Sequence, residues 1–420
     1  MESQDLRKYP FNTYTFSQKL ASYAAPAYYS QHARGATAPR RAGWKGSRNW
    51  RVDDHRCETR QRATIATADA ATRMPRLSPA MHVASLLWSA RAVAVHGGSA
   101  AAGCSSTSGY VAGASWSVDL DYDGGTYTHN IGLPSNYNAS TPTPLVIFFH
   151  GWGGSANSCG SFCTELTSNG IMYASMTGMG GPDDSNSWAG SGSINSPGPD
   201  GAICENAAGA PGLNDYCYGD CGNSCTDSCW WTTCADSVGQ VVDMLDYLEG
   251  LFCVDASAVW VAGTSNGGMF TFEVADDSRM AGRIAGIVPN IGLPHNGFNN
   301  GPLLTSIHMF GFWGLNDGTV PPLSNTDDPT KSQDNNAEHW YYSTARNTTD
   351  LWAARARCSP RVNYTSYGLA KHANLACTTT PDCESGAVLV EWCVDRNLIL
   401  SLINYDDDDT RERTTSIGDI

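Results

Sequence analysis

VWVAGTSNGGMF, from Val259 to Phe270, frames the rest of the chain. An apolar run meets a Gly-x-Ser-x-Gly turn, and residues compatible with a helix follow. The run has the length and β-branching of a buried strand. A serine on so sharp a strand-to-helix turn projects its Oγ above the sheet, and glycines at 263 and 267 leave room for the turn. Ser265 is therefore a candidate nucleophile. The plainer alternative is a Gly-rich turn with a structural serine. The strand before it and the helix after it favour the nucleophile.

The flanking sequence continues the alternation. Strands are expected over Gly124–Pro134, Pro144–Gly151, Gly170–Gly178, Ala258–Thr264, Arg283–Val288, Ile307–Phe312 and Val388–Cys393. Pro144–Gly151 is almost continuously apolar, as a strand buried on both faces should be. Cys234–Phe252 places Val238, Val241, Val242, Leu245 and Leu248 on one side of a helix. Gly267–Asp276 is the helix after the serine. This order implies an α/β class with a mostly parallel central sheet and helices on both faces. Residues 180–232 interrupt it as a long Gly-, Ser-, Asn- and Cys-rich loop insertion.

Two further stretches carry chemistry. HGWGG, His150–Gly154, directly follows the Pro144–Phe149 strand. Acyl transfer creates an oxyanion that needs prealigned N–H donors. The amides of Trp152 and of Asn266, next to the serine, are the candidate oxyanion hole. His150 itself is expected to order the loop. In FGFWGLNDGTVPP, Phe310–Pro322, a strand ends and Asp317 follows in a turn. An Asp there is often only a turn former, but it could also orient a histidine and stabilise its cation.

HGWGG, GTSNGGM, the WTTC before a helix and WGLNDGTVPP together resemble the secreted polyhydroxybutyrate-depolymerase and feruloyl-esterase group of α/β-hydrolase serine esterases. The resemblance covers roughly Gly124 to Cys393. It implies an α/β-hydrolase fold, with nucleophile Ser265, acid Asp317 and an oxyanion loop at His150–Gly154. It also implies that no metal and no organic cofactor is required. In that group a cysteine near WTTC and another near the elbow strand are commonly bridged; Cys234 and Cys253 are the matching positions, and their partners stay unassigned.

The general base is the gap. The group places a histidine after the last strand, whereas VDRNLILSLINYDDDDTRERTTSIGDI contains none. A frameshift or retained intron near residue 394 would produce such an ending. Two histidines follow Asp317 in the chain. His339 lies in AEHWYY, where packing is the plainer role, and His372 in LAKHANLAC, ahead of the last strand. The general base stays unassigned, with these two as the weak candidates.

Charge divides the chain. Residues 1–73 hold 13 Lys/Arg and 6 Asp/Glu, and residues 74–420 hold 13 and 35. The first segment is expected to be a disordered or wrongly included leader. Residues 74–103 resemble a secretory signal, with an early Arg, an apolar run and small residues, so Met74 or Met81 is the expected start. Residues 104–393 form the expected esterase domain, and 394–420 an atypical acidic tail. A formal charge of −15 argues against a nucleic-acid partner, and no stretch is apolar enough to span a membrane.

Of 15 cysteines, 14 lie from Cys104 onward, an even number, and sequons stand at Asn138, Asn347 and Asn363. The expectation is an oxidised, extracellular protein. Cys217–Cys234 could be read as a metal site, but disulfides stapling a loop are favoured because no histidine is near. The resemblance to the polyhydroxybutyrate-depolymerase and feruloyl-esterase group implies aromatic esters on plant-type polysaccharides or short hydroxyalkanoate polyesters as substrates. Trp188, Trp230 and Trp231 are weighed equally as a ring-stacking platform and as core.

Overall fold

The computed structural model describes residues 103–104, 109–180, 185–195, 197–206, 216, 218–222, 229–302, 304–305, 307–364, 375–381, 383 and 390–395. The leader, the signal-like segment up to residue 102, His372 and the tail beyond Asp395 lie outside them.

Among the described residues, twelve strands and four α-helices follow one another. In chain order they are β1 (Ser115–Tyr122), β2 (Gly125–Gly132), β3 (Thr143–Phe149), α1 (Gly160–Ser168), β4 (Met172–Met176), α2 (Ser237–Leu251), β5 (Val254–Thr264), α3 (Asn266–Asp276), β6 (Gly286–Asn290), β7 (His308–Gly314), β8 (Lys331–Gln333), β9 (Tyr341–Ser343), α4 (Ala345–Arg355), β10 (Val362–Tyr364), β11 (Leu375–Thr380) and β12 (Val390–Asp395). Ten strands form one sheet in the order β1-β2-β4-β3-β5-β6-β7-β12-β11-β10, and β8 and β9 pair separately. From β4 to β12 all pairings are parallel. The edges are antiparallel.

Alternation along β3 explains the layering. Leu145, Ile147 and Phe149 join a core with Val241, Leu245 and Leu248 of α2, Phe270 and Val274 of α3, and Trp352 of α4. Val146 and Phe148 face the other way, onto Phe162 and Leu166 of α1. Burying one such side chain contributes roughly 1.5–3 kcal/mol, so slipping the register of β3 by one residue would exchange its two packed faces.

Some elements differ from expectation. α2 starts at Ser237 rather than Cys234, because the Asp236 carboxylate accepts from Gly239 N–H at 2.9 Å and caps the helix. The strand expected at Arg283 starts at Gly286, and Arg283 instead pairs with Asp246 and Glu249 of α2.

Five disulfides join described cysteines: Cys104–Cys253, Cys159–Cys163, Cys204–Cys229, Cys221–Cys234 and Cys358–Cys383. The matched positions 234 and 253 are therefore not bridged to each other. Cys253 ties the start of β5 to the N-terminal stretch, and Cys234 closes back onto the insertion. Cys204–Cys229 staples the same insertion.

Candidate active site

The sheet order creates a crevice. β3 lies between β4 and β5, so the chain leaves β3 for one side and returns on the other. Ligands in open α/β sheets bind outside the carboxyl ends of strands at such a switch point. Phe149, the last residue of β3, is registered to Gly263 of β5. HGWGG and the Gly-x-Ser-x-Gly turn therefore emerge side by side.

Ser265 sits on the turn with φ 54° and ψ −121°, a conformation that non-glycine residues rarely adopt. Holding it costs on the order of 1–3 kcal/mol, which the surroundings must offset. Ser265 N–H donates to Asn290 O at 3.0 Å, and Ser265 O accepts from Met269 N–H at 2.9 Å. The glycines are required by close approach. A Cβ at 263 would lie 2.1 Å from Gly267 O, and one at 267 would lie 2.3 Å from Phe149 O. Ser265 is the residue that precedes the first turn of α3, so the positive end of the helix dipole lies beside it, although its side chain makes no capping hydrogen bond.

Gly151 touches the serine, since a Cβ there would stand 3.4 Å from Ser265 Cβ. The loop is held from behind by Trp188. Trp188 Nε1–H donates to His150 O at 2.9 Å, and Trp188 N–H donates to the Asn266 side-chain carbonyl at 2.8 Å. The Asn266 amide Nδ2 donates back to Trp188 O at 3.0 Å. The Trp188 ring stacks on Phe270 and is fully buried. Trp188 is therefore a clamp and core residue, not a stacking platform. Its role was missed because a tryptophan in a glycine-rich insertion gives no periodicity to read. Trp231 is half-buried and donates to His295 Nε2 at 2.9 Å.

The Asn266 backbone N–H is the first of α3, where amides have no acceptor within the helix. Trp152 is half-buried in the neighbouring loop, its ring edge-on to Tyr216 at 5.8 Å. Trp152 and Asn266 thus stand on the loop after β3 and at the start of α3.

His150 is committed elsewhere. Its Nδ1–H donates to Gly151 O at 2.5 Å and its Nε2 accepts from Gly178 N–H at 2.8 Å. Burial lowers its pKa to about 4, so it stays neutral. His295 is neutral for the same reason, bonded to Tyr341 O through Nδ1 at 2.7 Å.

Asp317 follows β7, at the same end of the sheet as Ser265. Its Oδ1 accepts from Thr319 N–H at 2.8 Å and Val320 N–H at 3.0 Å. Its Oδ2 is buried and has no hydrogen-bond partner among the described residues. Burial raises its pKa to about 6 against the opposing pull of the two amides. A buried acceptor left so costs roughly 1–3 kcal/mol, more for a charged group.

His339 does not fill that gap. It sits in a turn at φ 53° between β8 and β9, and no hydrogen bond links it to Asp317 or Ser265. Register places the remaining edge elements at the same end as Asp317. Leu375 of β11 pairs with Asp395 of β12, and Asp395 with Gly314 of β7.

A parallel core with antiparallel edges and a positive-φ serine elbow after β5 is an α/β-hydrolase fold. Solved structures similar to this chain include a hyperthermophilic esterase from the archaeon Pyrobaculum calidifontis, at 15% identity and a TM-score of 0.28, covering 44% of this chain and 47% of that one. An alpha-beta serine hydrolase homologue from Coxiella burnetii matches at 15% identity and a TM-score of 0.32, covering 49% and 76%. An esterase of Thermogutta terrifontis, phosphorylated by paraoxon, matches at 12% and 0.32, covering 49% and 73%. The chain spans about half the length of the first of these. No protein-family model matches the chain. No curated protein matches it.

Proposed function

We infer that the chain is a secreted serine carboxylic-ester hydrolase. The observation that carries this reading is the pairing of a strained serine elbow with a buried carboxylate whose second oxygen has no partner among the described residues. Strain at one residue and an unsatisfied buried acceptor at another are both costs that function explains.

In this mechanism Ser265 Oγ attacks the ester carbonyl carbon, and its proton passes to a histidine. The carbonyl oxygen becomes an oxyanion held by the Trp152 and Asn266 amides. Collapse expels the alcohol, which takes the proton from the histidine and leaves an acyl-serine. Water, deprotonated by the same histidine, then releases the acid and restores Ser265. Asp317 Oδ2 accepts from the histidine and stabilises its cation. No step calls on a metal or cofactor.

The histidine is the open part. His372 stands three residues before Leu375 in the sequence, and the Leu375 register brings that end of β11 level with Gly314. The substrates that fit the motif resemblance are feruloyl-type esters on polysaccharides or short hydroxyalkanoate polyesters. Export is supported by the five disulfides and by the exposed sequon residue Asn138. No described helix is long and apolar enough to cross a membrane.

The second reading is a secreted binding homologue that lacks its base. That Asp317 Oδ2 has no partner among the described residues is the observation in its favour. Hydrolysis of methyl ferulate and of a hydroxybutyrate oligomer separates the two. The hydrolase reading expects turnover of one of them, abolished in Ser265→Ala. Turnover of neither, in a folded protein, supports the binding homologue.

A further inference from the structure

The segment that carries Trp188 lies along one side of α3. Trp188 exchanges two hydrogen bonds with the Asn266 side chain. Ser191 Oγ donates to Met269 O at 2.8 Å, and Ser191 N–H donates to the Glu273 carboxylate at 2.9 Å. Positions 266, 269 and 273 are spaced by three and then four residues, so they share one face of the helix. Glu273 is the last of these anchors, about two turns along α3 from Ser265.

The turn that Glu273 holds is strained. Gly190, Ser191 and Gly192 have φ 126°, 52° and 94°. Three successive residues in the left-handed region turn the chain sharply just after Trp188, and the middle one carries a Cβ. Such a conformation persists only where the surroundings over-determine it. Ser191 is buried, and each of its polar groups is committed: N–H to Glu273, Oγ to Met269 O, and O to His295 N–H at 2.9 Å. The bond to Glu273 goes to a carboxylate, the stronger kind of acceptor. The stem of Glu273 also fills the space that Gly190 leaves, since a Cβ at 190 would lie 2.4 Å from Glu273 Cγ.

We propose that Glu273 is a positioning residue for Ser265. By fixing the turn at Gly190–Gly192 it holds Trp188 in place, and Trp188 in turn holds His150 O and the Asn266 side chain. Asn266 follows the serine, and His150 opens the loop whose Gly151 lies against it. Loosening the turn frees the Trp188 backbone to shift, so its Nε1–H moves off His150 O and the Asn266 side chain loses both partners. The proposal rests on the ester-hydrolase reading, in which Ser265 is the nucleophile.

The test is the rate at which a fluorophosphonate labels Ser265 in the full chain, followed by intact mass, with the melting temperature measured alongside. Glu273→Gln keeps a side-chain carbonyl for Ser191 N–H and should label within about twofold of wild type. Glu273→Asp withdraws the acceptor by one methylene and Glu273→Ala removes it, so they should label about threefold and about tenfold more slowly at temperatures where each is folded. Because Glu273 acts through Trp188, Glu273→Asp should slow labelling less in a Trp188→Phe background than in wild type. Glu273→Asp and Glu273→Gln carry the comparison if Glu273→Ala fails to fold. A lower melting temperature with unchanged labelling is what a merely structural staple gives, and it overturns the proposal. So do losses that simply multiply in the double variant. Folded wild type that does not label removes the nucleophile reading and the proposal with it, whereas labelling that ignores Glu273 removes the proposal alone.

Discussion

Gly151 lies against Ser265, close enough that a methyl group at 151 would stand 3.4 Å from the serine Cβ. The contact follows from the register of Phe149 on Gly263. It sets the proposed oxyanion loop against the proposed nucleophile without any bond between them. Gly151→Ala is ordinary van der Waals contact and should retain most reactivity. Gly151→Val should press on the elbow and slow phosphonate labelling of Ser265 about 100-fold, the scale of an ångström's misplacement. Equal labelling rates for the two would show that the loop is not seated against the serine.

Trp188 is a positioning residue. Trp188→Phe keeps an aromatic ring against Phe149 and Phe270 but removes the Nε1–H donor to His150 O. The buried carbonyl left behind should cost roughly 1–3 kcal/mol of stability. The expected signature is a fall in kcat at nearly constant KM, because the loop's donors act on the transition state. A rise in KM alone would place Trp188 in substrate binding instead.

The Asp317 carboxyl gives a pH signature. Its folded pKa is raised to about 6 by burial, above the unfolded value of about 3.9. The folded state then holds the proton more tightly between those values. Wild type therefore loses stability as pH rises from about 4 to about 6, by up to about 3 kcal/mol. Asp317→Asn has no such dependence. Its melting temperature relative to wild type should climb over that window and level off above it. A difference that stays flat would show a cation facing Oδ2 in solution.

The buried histidines act with the opposite sign. His129, His150, His295 and His308 each have a pKa lowered to about 4 by burial. For each, the unfolded chain takes up a proton near pH 6.5 that the fold refuses until about pH 4. Their contribution is present above pH 6.5 and is lost as pH falls toward 4. His129, His150 and His295 also accept an N–H bond on a ring nitrogen, which protonation would break. Denaturant melts between pH 7 and 4 should show net proton uptake on unfolding. Uptake of less than one proton would contradict the buried neutral rings.

The sheet was legible because its strands are nearly unbroken apolar runs, and Val259–Thr264 could hardly be anything else beside its glycine turn. The edge strand β1 was missed. SWSVDLDY alternates, but its outer positions carry Asp119 and Asp121, which pair with threonines of β2 rather than with water alone. α1 and α4 were missed as well. α1 is short and opens within a disulfide, and α4 carries polar residues through ARNTTD. Local motifs carry the proposed site residues Ser265 and Asp317 and the glycine loop, so these could be named from short stretches of sequence. The Trp188 clamp was invisible because its partners, His150 and Asn266, lie 38 and 78 residues away. The disulfide partners of Cys234 and Cys253 were beyond spacing arguments for the same reason.

The central claim is that Ser265 is an activated nucleophile, and intact-mass and peptide mass spectrometry after exposure to a fluorophosphonate tests it most directly. The full chain, Ser265→Ala, His339→Ala and His372→Ala are compared under native conditions. The account predicts a single adduct on the peptide containing Ser265, absent in Ser265→Ala, and lost in whichever of His339→Ala and His372→Ala removes the base. No adduct on the folded wild-type chain, or an adduct that survives Ser265→Ala, would contradict it.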